Sequence, residues 1–314
     1  MKKRILLLGG FGFLGTNLIK WVDAHGADRY EVIVFDRFPA HPCGIRFESV
    51  RKVYSGDFSD RFLLESVFSD QRIDLVVHSL SMSVPSSSVD NEFDLKCNVL
   101  PTISLLDIMH RAGVRDIVFI SSGGAVYGDR YVRDGRHSEE DVLYPKSSYG
   151  VSKLTIEKYL HLYHSLYGIR SLVLRLSNPY GPFHYSQRQG IVNIALERAL
   201  ANQTIHVWGS GEGKKDYIYV EDFCRIVEAL MEKGFQGHQV VNVGSDILLS
   251  VNEILQTVRN GVNPAFTWYY DDSKDLDVQS FRLNLDKLHS LLPGFVPTGF
   301  EEGLLKTWKW YKNR

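Results

Sequence analysis

Two side chains able to move a proton stand four apart in Tyr149-Gly150-Val151-Ser152-Lys153. On a helix, residues at this spacing share one face. An unperturbed phenol titrates near pH ~10, and a fixed positive charge beside it favours the phenolate. Such a tyrosine can take the proton of an alcohol while hydride leaves the same carbon. The spacing alone also describes many surface pairs. Its meaning comes from Ser121-Ser122, which close an apolar run upstream, and from a glycine-rich stretch near the start of the chain.

That stretch is Gly9-Gly10-Phe11-Gly12-Phe13-Leu14-Gly15. It fits G-x-G-x-x-G from Gly10 and G-x-x-G-x-x-G from Gly9, between an apolar run and an amphipathic one. Glycine allows the tight turn and the close approach of a pyrophosphate, and the helix N-terminus supplies free N–H groups. Gly9, Gly12, Phe13, Leu14 and Gly15 are therefore candidate cofactor contacts. Asp36 ends the next apolar run, 21 residues after Gly15. A carboxylate there accepts from the ribose hydroxyls and repels a 2′-phosphate, which favours NAD over NADP. Arg37 is the neighbour that would pair with a 2′-phosphate instead.

The elements that must carry these groups follow from periodicity. Arg4–Leu8, Glu31–Phe35, Val50–Ser55, Ile73–His78, Asp116–Ser121 and Arg170–Leu176 read as strands. Phe13–His25, Asp60–Asp70, Asn98–Ala112 and Ser148–Tyr167 read as helices, the last two closed by Gly113 and Gly168. Nearly continuous apolar strands alternating with helices predict an α/β fold, a Rossmann-type doubly wound parallel sheet. Residues 1–176 are expected to form this NAD-binding domain. Residues 177–314, richer in Pro, Gly and Tyr, are expected to form mainly a smaller α/β substrate-binding region, some of it returning to the sheet. Helices are predicted there near Ile191–Ala201, Val220–Lys233 and Leu304–Tyr311.

Composition bounds the function. With 36 Lys+Arg against 37 Asp+Glu, the net charge of −1 argues against a nucleic-acid binder with a broad basic face. Hydrophobic content of 44% with 23% charged residues is that of a folded chain of 314 residues. Cys43, Cys97 and Cys224 lack CxxC and zinc spacing, so neither a disulfide scaffold nor a metal is expected, and a reduced, cytoplasmic setting is. The Lys2-Lys3-Arg4 start runs into Gly9-Gly10 and reads as a buried strand rather than a signal peptide. No apolar run reaches the ~18 residues of a membrane span.

Taken together, the motifs resemble the extended short-chain dehydrogenase/reductases, in particular the NAD-dependent nucleotide-sugar epimerases and dehydratases, among them UDP-glucose 4-epimerases. The resemblance covers nearly the whole chain. It is carried by Gly9–Gly15, Gly56-Asp57-Phe58, His78-Ser79-Leu80-Ser81, Asn98, the run from Ser121 through Tyr127-Gly128, and Tyr149 with Lys153. Further along, Arg175, Asn178-Pro179-Tyr180-Gly181-Pro182, Trp208-Gly209 and Asp216-Tyr217 through Asp222 complete it. The resemblance implies that Asp57 and Phe58 hold the adenine and that Lys153 also contacts the nicotinamide ribose. It places Ser79, Leu80, Asn98 and Ser121 along the cofactor. Asn178 faces a substrate diphosphate, and His206 and Trp208 lie against the nucleotide base. The loops Ser81–Ser86, Phe183–Gln189 and Lys274–Arg282 decide which sugar fits, with Gln189 a candidate contact. Bland readings stand beside these: Asp57 as a helix cap, Tyr127 as core packing, Asn178 as a turn residue.

Three departures from the family pattern matter. Gly123 falls where a catalytic Ser or Thr is usual, which leaves Ser122 as the nearest group to polarise the substrate oxygen. Dehydratases carry Thr-Asp-Glu at Gly123-Gly124-Ala125, so elimination of water is disfavoured. Lys215 and Lys274 stand where arginines are usual, with Arg282 an alternative for the diphosphate, and lysine lacks the bidentate fork. The leading reading is a nucleotide-sugar 4-epimerase, for a UDP-hexose or UDP-N-acetylhexosamine, working through a transient 4-keto sugar with resident NAD. The alternatives are a nucleotide-4-keto-sugar reductase and a non-catalytic cofactor sensor. The resemblance also implies a homodimer through the Asn98–Ala112 and Ser148–Tyr167 helices, and a role in polysaccharide precursor synthesis.

Overall fold

The computed structural model describes residues 2–83, 91–128, 135–187, 189–271 and 280–314. The chain divides into two compact units. One comprises Met1–Gly128, Leu143–Arg175 and Val227–Val241; the other comprises Asp129–Val142, Leu176–Ile226 and Asn242–Arg314.

In chain order the first unit begins with β1 (Lys3–Leu8), α1 (Phe13–His25), β2 (Tyr30–Asp36), β3 (Val50–Ser55), α2 (Arg61–Asp70) and β4 (Leu75–His78). A short helix, α3 (Asn91–Asp94), then passes through a π-helical turn, Leu95–Val99, into α4 (Leu100–Arg111). β5 (Asp116–Ser122), the single turn α5 (Gly123–Val126), α6 (Ser148–Tyr167) and β6 (Arg170–Leu176) follow. Beyond them come β7 (Asn178–Tyr180), α7 (Ile191–Leu200), β8 (Ile205–Trp208), β9 (Lys215–Tyr219), α8 (Val220–Lys233) and β10 (His238–Val243). The chain ends with β11 (Leu248–Leu249), α9 (Val251–Gly261), β12 (Trp268–Asp271), α10 (Asp286–Leu291) and α11 (Phe300–Lys312).

Seven strands form one parallel sheet in the order β10-β6-β5-β4-β1-β2-β3. The order runs outward in opposite directions from the β1/β4 pair, and ligands of such sheets bind beyond the strand C-termini at that switch point. The interior of the first unit is built from the inward side chains of these strands and their helices. Leu6, Leu8, Ile33, Phe35, Val76 and Phe119 pack with Ile156 and Leu160 of α6.

Local chemistry sets the helix ends. Asp60 caps α2 by accepting from Leu63 N at 3.0 Å, and Ser147 caps α6 by accepting from Gly150 N at 3.1 Å. Gly168, at φ 67°, closes α6 in the left-handed conformation that glycine adopts without strain. Several predicted boundaries differ, most by a residue, and α11 begins at Phe300 rather than Leu304; two of the differences are instructive. β4 begins at Leu75 rather than Ile73, because Asp74 uses its own carboxylate to accept from Arg4 N at 2.9 Å. The predicted Asn98–Ala112 helix becomes regular α only from Leu100, with Asn98 inside the π turn.

The second unit carries a three-stranded sheet, β11-β9-β7, and a two-stranded parallel ribbon, β12-β8. α9 opens with a full capping box between Ser250 and Glu253.

Candidate active site

The glycine loop joins β1 to α1 at the switch point. Gly9 N donates to Phe35 O at 2.9 Å, and Gly9 sits at φ +77°. A Cβ on Gly15 would overlap the Gly9 carbonyl oxygen and come within 2.7 Å of Gly10 Cα, so α1 packs directly against the turn. Gly12 differs. A Cβ there would meet only Gly9 O, at 3.4 Å, and otherwise open space. Gly12 is the N-cap of α1, which has no side-chain cap and no acidic residue in its first turn. The N–H groups that begin a helix need acceptors. The open space beside Gly12 at this helix start fits the close approach of a pyrophosphate. Phe13 and Leu14 begin the helix itself.

Asp36 is buried at the end of β2, where Oδ2 accepts from Phe11 N at 2.9 Å and Oδ1 from Phe38 N at 3.2 Å. These bonds tie the second strand to the glycine loop and fix the carboxylate in place. Arg37 donates to Met82 Sδ at 3.4 Å. Asp57 is exposed, and the N–H and hydroxyl of Ser59 hold its carboxyl below the usual range. The neighbouring Asp60, rather than Asp57, caps α2. The Phe58 ring is buried against Phe35 and His78.

At the end of β4, Ser79 donates from its hydroxyl to Leu8 O at 2.8 Å, and Leu80 backbone abuts Gly9. Buried Asn98 accepts from Met82 N at 2.9 Å and donates to Ser83 Oγ at 3.2 Å. Its π turn thus fastens the segment after β4 to the helix layer; such turns often mark functional positions.

The proton-handling groups meet where β5 ends and α6 begins. Ser122 leaves β5 and is hydrogen-bonded through its hydroxyl to the Tyr149 phenol. Lys153, one turn along α6 and buried, donates from Nζ to Ile120 O at 2.9 Å. Its Nζ lies 5.7 Å from the Tyr149 ring centre and 4.8 Å from that of Phe119. The expected direction of tuning is reversed. Burial pushes the Tyr149 phenol up to about 12, the charge of Asp94 adds to this, and the Ser122 hydrogen bond opposes it. The Lys153 ammonium is itself pushed down to about 8 by burial, with Glu157 opposing. Ser121 turns away from the phenol and donates to Glu157 Oε1 at 2.5 Å.

A glycine-cradled helix N-terminus, a strand-end aspartate and a Tyr/Lys/Ser cluster thus sit at the C-terminal ends of β1, β2 and β5. Residues 5–244 match the NAD dependent epimerase/dehydratase family. The chain belongs to that family. Membership makes NAD its cofactor and a nucleotide-sugar epimerase/dehydratase its class. UDP-glucose 4-epimerase of Thermotoga maritima, solved with UDP-glucose, is similar in structure at a TM-score of 0.89, with 30% identity over 99% of each chain. UDP-glucose 4-epimerase of Mycolicibacterium smegmatis is 28% identical over 325 residues, covering 99% of both. The Escherichia coli dTDP-4-dehydro-6-deoxyglucose reductase is also 28% identical, over 95% of this chain and 93% of its own.

The candidate substrate residues of the second unit sit on separate sheets. Asn178 lies in β7, not in a turn, and donates to Asp216 O at 2.8 Å, while Lys215 begins β9. On the ribbon, His206 lies against Tyr269 in a tilted contact, 3.9 Å between ring centres, with exposed Trp208 at 5.1 Å. Gln189 is exposed, its N–H bonded to Ser186 Oγ at 3.2 Å. The Arg282 fork is engaged by Asp246, at 2.7 and 2.8 Å. Lys274 lies outside the described residues. Among the described residues no group of three His, Cys, Asp or Glu side chains is placed to hold a metal ion, and no helix is long and apolar enough to cross a membrane.

Tyr269, Asp94 and Glu157 are functional candidates that the sequence reading missed. Tyr269 and Asp94 belong to no motif. Glu157 does continue the Tyr149, Lys153 spacing by another four residues, a signal that was present in the chain.

Proposed function

We propose that the protein is a nucleotide-sugar 4-epimerase, acting on a UDP-hexose or its N-acetylated form. The carrying observation is the cluster of Ser122 and Tyr149, hydrogen-bonded to each other, followed by an α5 turn of Gly123, Gly124, Ala125 and Val126 that offers no acid or base. That turn lacks the carboxylates needed to eliminate water, while the cluster keeps what oxidation and reduction at one carbon require. When bound at the Gly9–Gly15 cradle, NAD supplies reversible hydride acceptance. In its phenolate form, Tyr149 takes the proton of the sugar C4 hydroxyl and later returns one. Ser122 hydrogen-bonds the same oxygen, polarising it as the carbonyl forms. Lys153 keeps positive charge beside the phenol. Asn178, Gln189, His206, Trp208, Lys215 and Lys274 are the proposed substrate contacts, and the cytoplasm is the proposed setting.

The test is an NMR time course of the purified protein with UDP-glucose, UDP-galactose and their N-acetyl forms, with no NAD added. Appearance of the C4 epimer is expected. A folded, NAD-loaded protein that converts none of the four refutes the assignment. A second reading, a nucleotide-4-keto-sugar reductase, is favoured by the raised Tyr149 pKa, since a phenol protonated at neutral pH is poised to donate to a ketone. It requires stoichiometric consumption of reduced cofactor, which the same protein incubated with a 4-keto sugar reveals.

We also propose a homodimer through α4 and α6. Leu100 on α4 and Leu162 and Leu166 on α6 are exposed, at 56%, 43% and 61%. Leu162 and Leu166 share a face by spacing. Fully burying a leucine contributes roughly 1.5–3 kcal/mol. The L100K/L166K double variant, which removes four such side chains per dimer, is expected to sediment as a monomer. A dimer that persists through both substitutions overturns this interface.

A further inference from the structure

Between β7 and α7 the chain turns through the loop that carries Gln189. Phe183 stands in that loop at φ 66°. A bulky side chain rarely takes the left-handed region, and such strain persists only where the surroundings fix it. Here they do. The Phe183 ring is buried against Trp310 of α11, with 5.0 Å between ring centres. The next residue, His184, is held twice. Its carbonyl oxygen accepts from the Tyr311 hydroxyl at 3.2 Å. Its ring fills the space beside Gly190, where a Cβ would overlap Cε1 and come within 2.9 Å of Nδ1.

The Tyr311 hydroxyl is a junction. It donates to His184 O and accepts from Asn193 Nδ2 at 3.3 Å. Asn193, buried in α7, also closes on the start of the loop. Its Nδ2 donates to Gly181 O at 2.7 Å, and its Oδ1 accepts from Gly181 N at 3.2 Å. One phenol thus joins α11, α7 and the loop between β7 and α7. Packing of α11 would need only the ring of Tyr311; the hydroxyl is what reaches the loop. Gln189 lies between the points so fixed. Its N–H donates to Ser186 Oγ, two residues after His184, and the next residue is Gly190, against the His184 ring. Tyr311 bonds the loop at His184, so its effect on Gln189 passes through that residue.

We propose that Tyr311 is a positioning residue for the substrate loop: its hydroxyl, acting through His184, fixes the backbone from which Gln189 meets the nucleotide sugar. What the loop is held for rests on the proposed reading of Gln189 as a substrate contact. A strained backbone released from this junction has lower-energy conformations to relax into, and Gln189 moves with it.

Tyr311→Phe removes the hydroxyl and keeps the ring, which packs on Trp310 at 4.8 Å between centres. Backbone order parameters from 15N relaxation test the brace without a substrate. Those of Tyr185, Ser186 and Gln189 are expected near the ~0.85 of rigid backbone in the wild type and below ~0.6 in Tyr311→Phe, with β7 and α7 unchanged. Equal values in the two proteins overturn the proposal. Calorimetric titration of the NAD-loaded protein with UDP-glucose, UDP-galactose and their N-acetyl forms tests what the brace is for. Tyr311→Phe is expected to weaken the tightest of the four about fivefold, the scale of one hydrogen bond. Made in a Gln189→Ala background, the same substitution is expected to change affinity less than about twofold, because its effect passes through a side chain already removed. Equal losses in both backgrounds make Tyr311 merely structural and overturn the proposal. A Gln189→Ala protein that binds as the wild type does, or a wild type that binds none of the four, refutes the reading of Gln189 and the proposal with it. The order parameters then still tell whether Tyr311 holds the loop, so the two failures are distinguishable.

Discussion

Tyr149→Phe is expected to lose at least ~10²-fold in turnover while keeping its fold and its bound NAD, the usual scale when a positioned acid–base group is removed. The substitution deletes one oxygen and leaves the ring. The Lys153 ammonium stays on Ile120 O, and the cradle at Gly9–Gly15 is untouched. Ser122 loses its phenol partner, at a cost of about 1 kcal/mol. The raised pKa sharpens the expectation. With the phenol pushed up to about 12, it is the protonated form that stands in the site near neutral pH. Proton transfer is then the demanding step in the alcohol-to-ketone direction, because the phenol must first be ionised. Turnover is measured by NMR conversion, and cofactor content by absorbance after denaturing release. Near-normal conversion with full cofactor removes Tyr149 from its proposed role.

The direction of that tuning marks a limit of sequence reading. The four-residue spacing of Tyr149 and Lys153 is legible in the chain, and so is the helix that realises it, because Ser147 and Gly168 state where α6 begins and ends. Spacing carries no information on burial, and at this site burial raises the phenol. The same limit hides the buried hydrogen-bonded cluster around Glu157. Ser121, Glu157 and Arg175 come from β5, α6 and β6, and nothing local announces that they share hydrogen bonds. Asn98 shows a different limit. Apolar periodicity extends a regular helix through it, whereas the backbone widens into a π turn so that its side chain can hold Met82 N and Ser83. The strands and the glycine loop were the most legible features, because hydrophobic runs and Gly9, Gly12 and Gly15 report backbone requirements directly. The substrate contacts were the least. Asn178 and Lys215 sit in short strands while His206 and Trp208 sit on a ribbon whose partner strand, β12, begins 60 residues after β8 ends.

Gly15→Ala and Gly12→Ala are expected to separate the two jobs that glycine does in the cradle. At Gly15 the added Cβ meets only backbone: the Gly9 carbonyl oxygen, Gly10 Cα, and Gly10 C at 2.8 Å. No flexible side chain can swing away, so α1 or the turn must move. Overpacking of this kind costs roughly 1–3 kcal/mol. The apo-protein should therefore melt at a lower temperature, and NAD should bind up to about 10²-fold more weakly, at ~1.4 kcal/mol per factor of ten. At Gly12 the Cβ meets nothing closer than 3.4 Å, an ordinary contact, and the backbone at φ −75° suits any residue. The apo-protein should then melt as the wild type does. The methyl group would nevertheless stand beside the uncapped N-terminus of α1, in the space proposed for the pyrophosphate. NAD affinity should fall in Gly12→Ala without a stability cost, and calorimetric titration beside melting curves reads both quantities. Should Gly12→Ala bind NAD as tightly as the wild type, the pyrophosphate does not approach the backbone there. Asp36, held to this loop through Phe11 N, would then have to anchor the cofactor with the ribose alone.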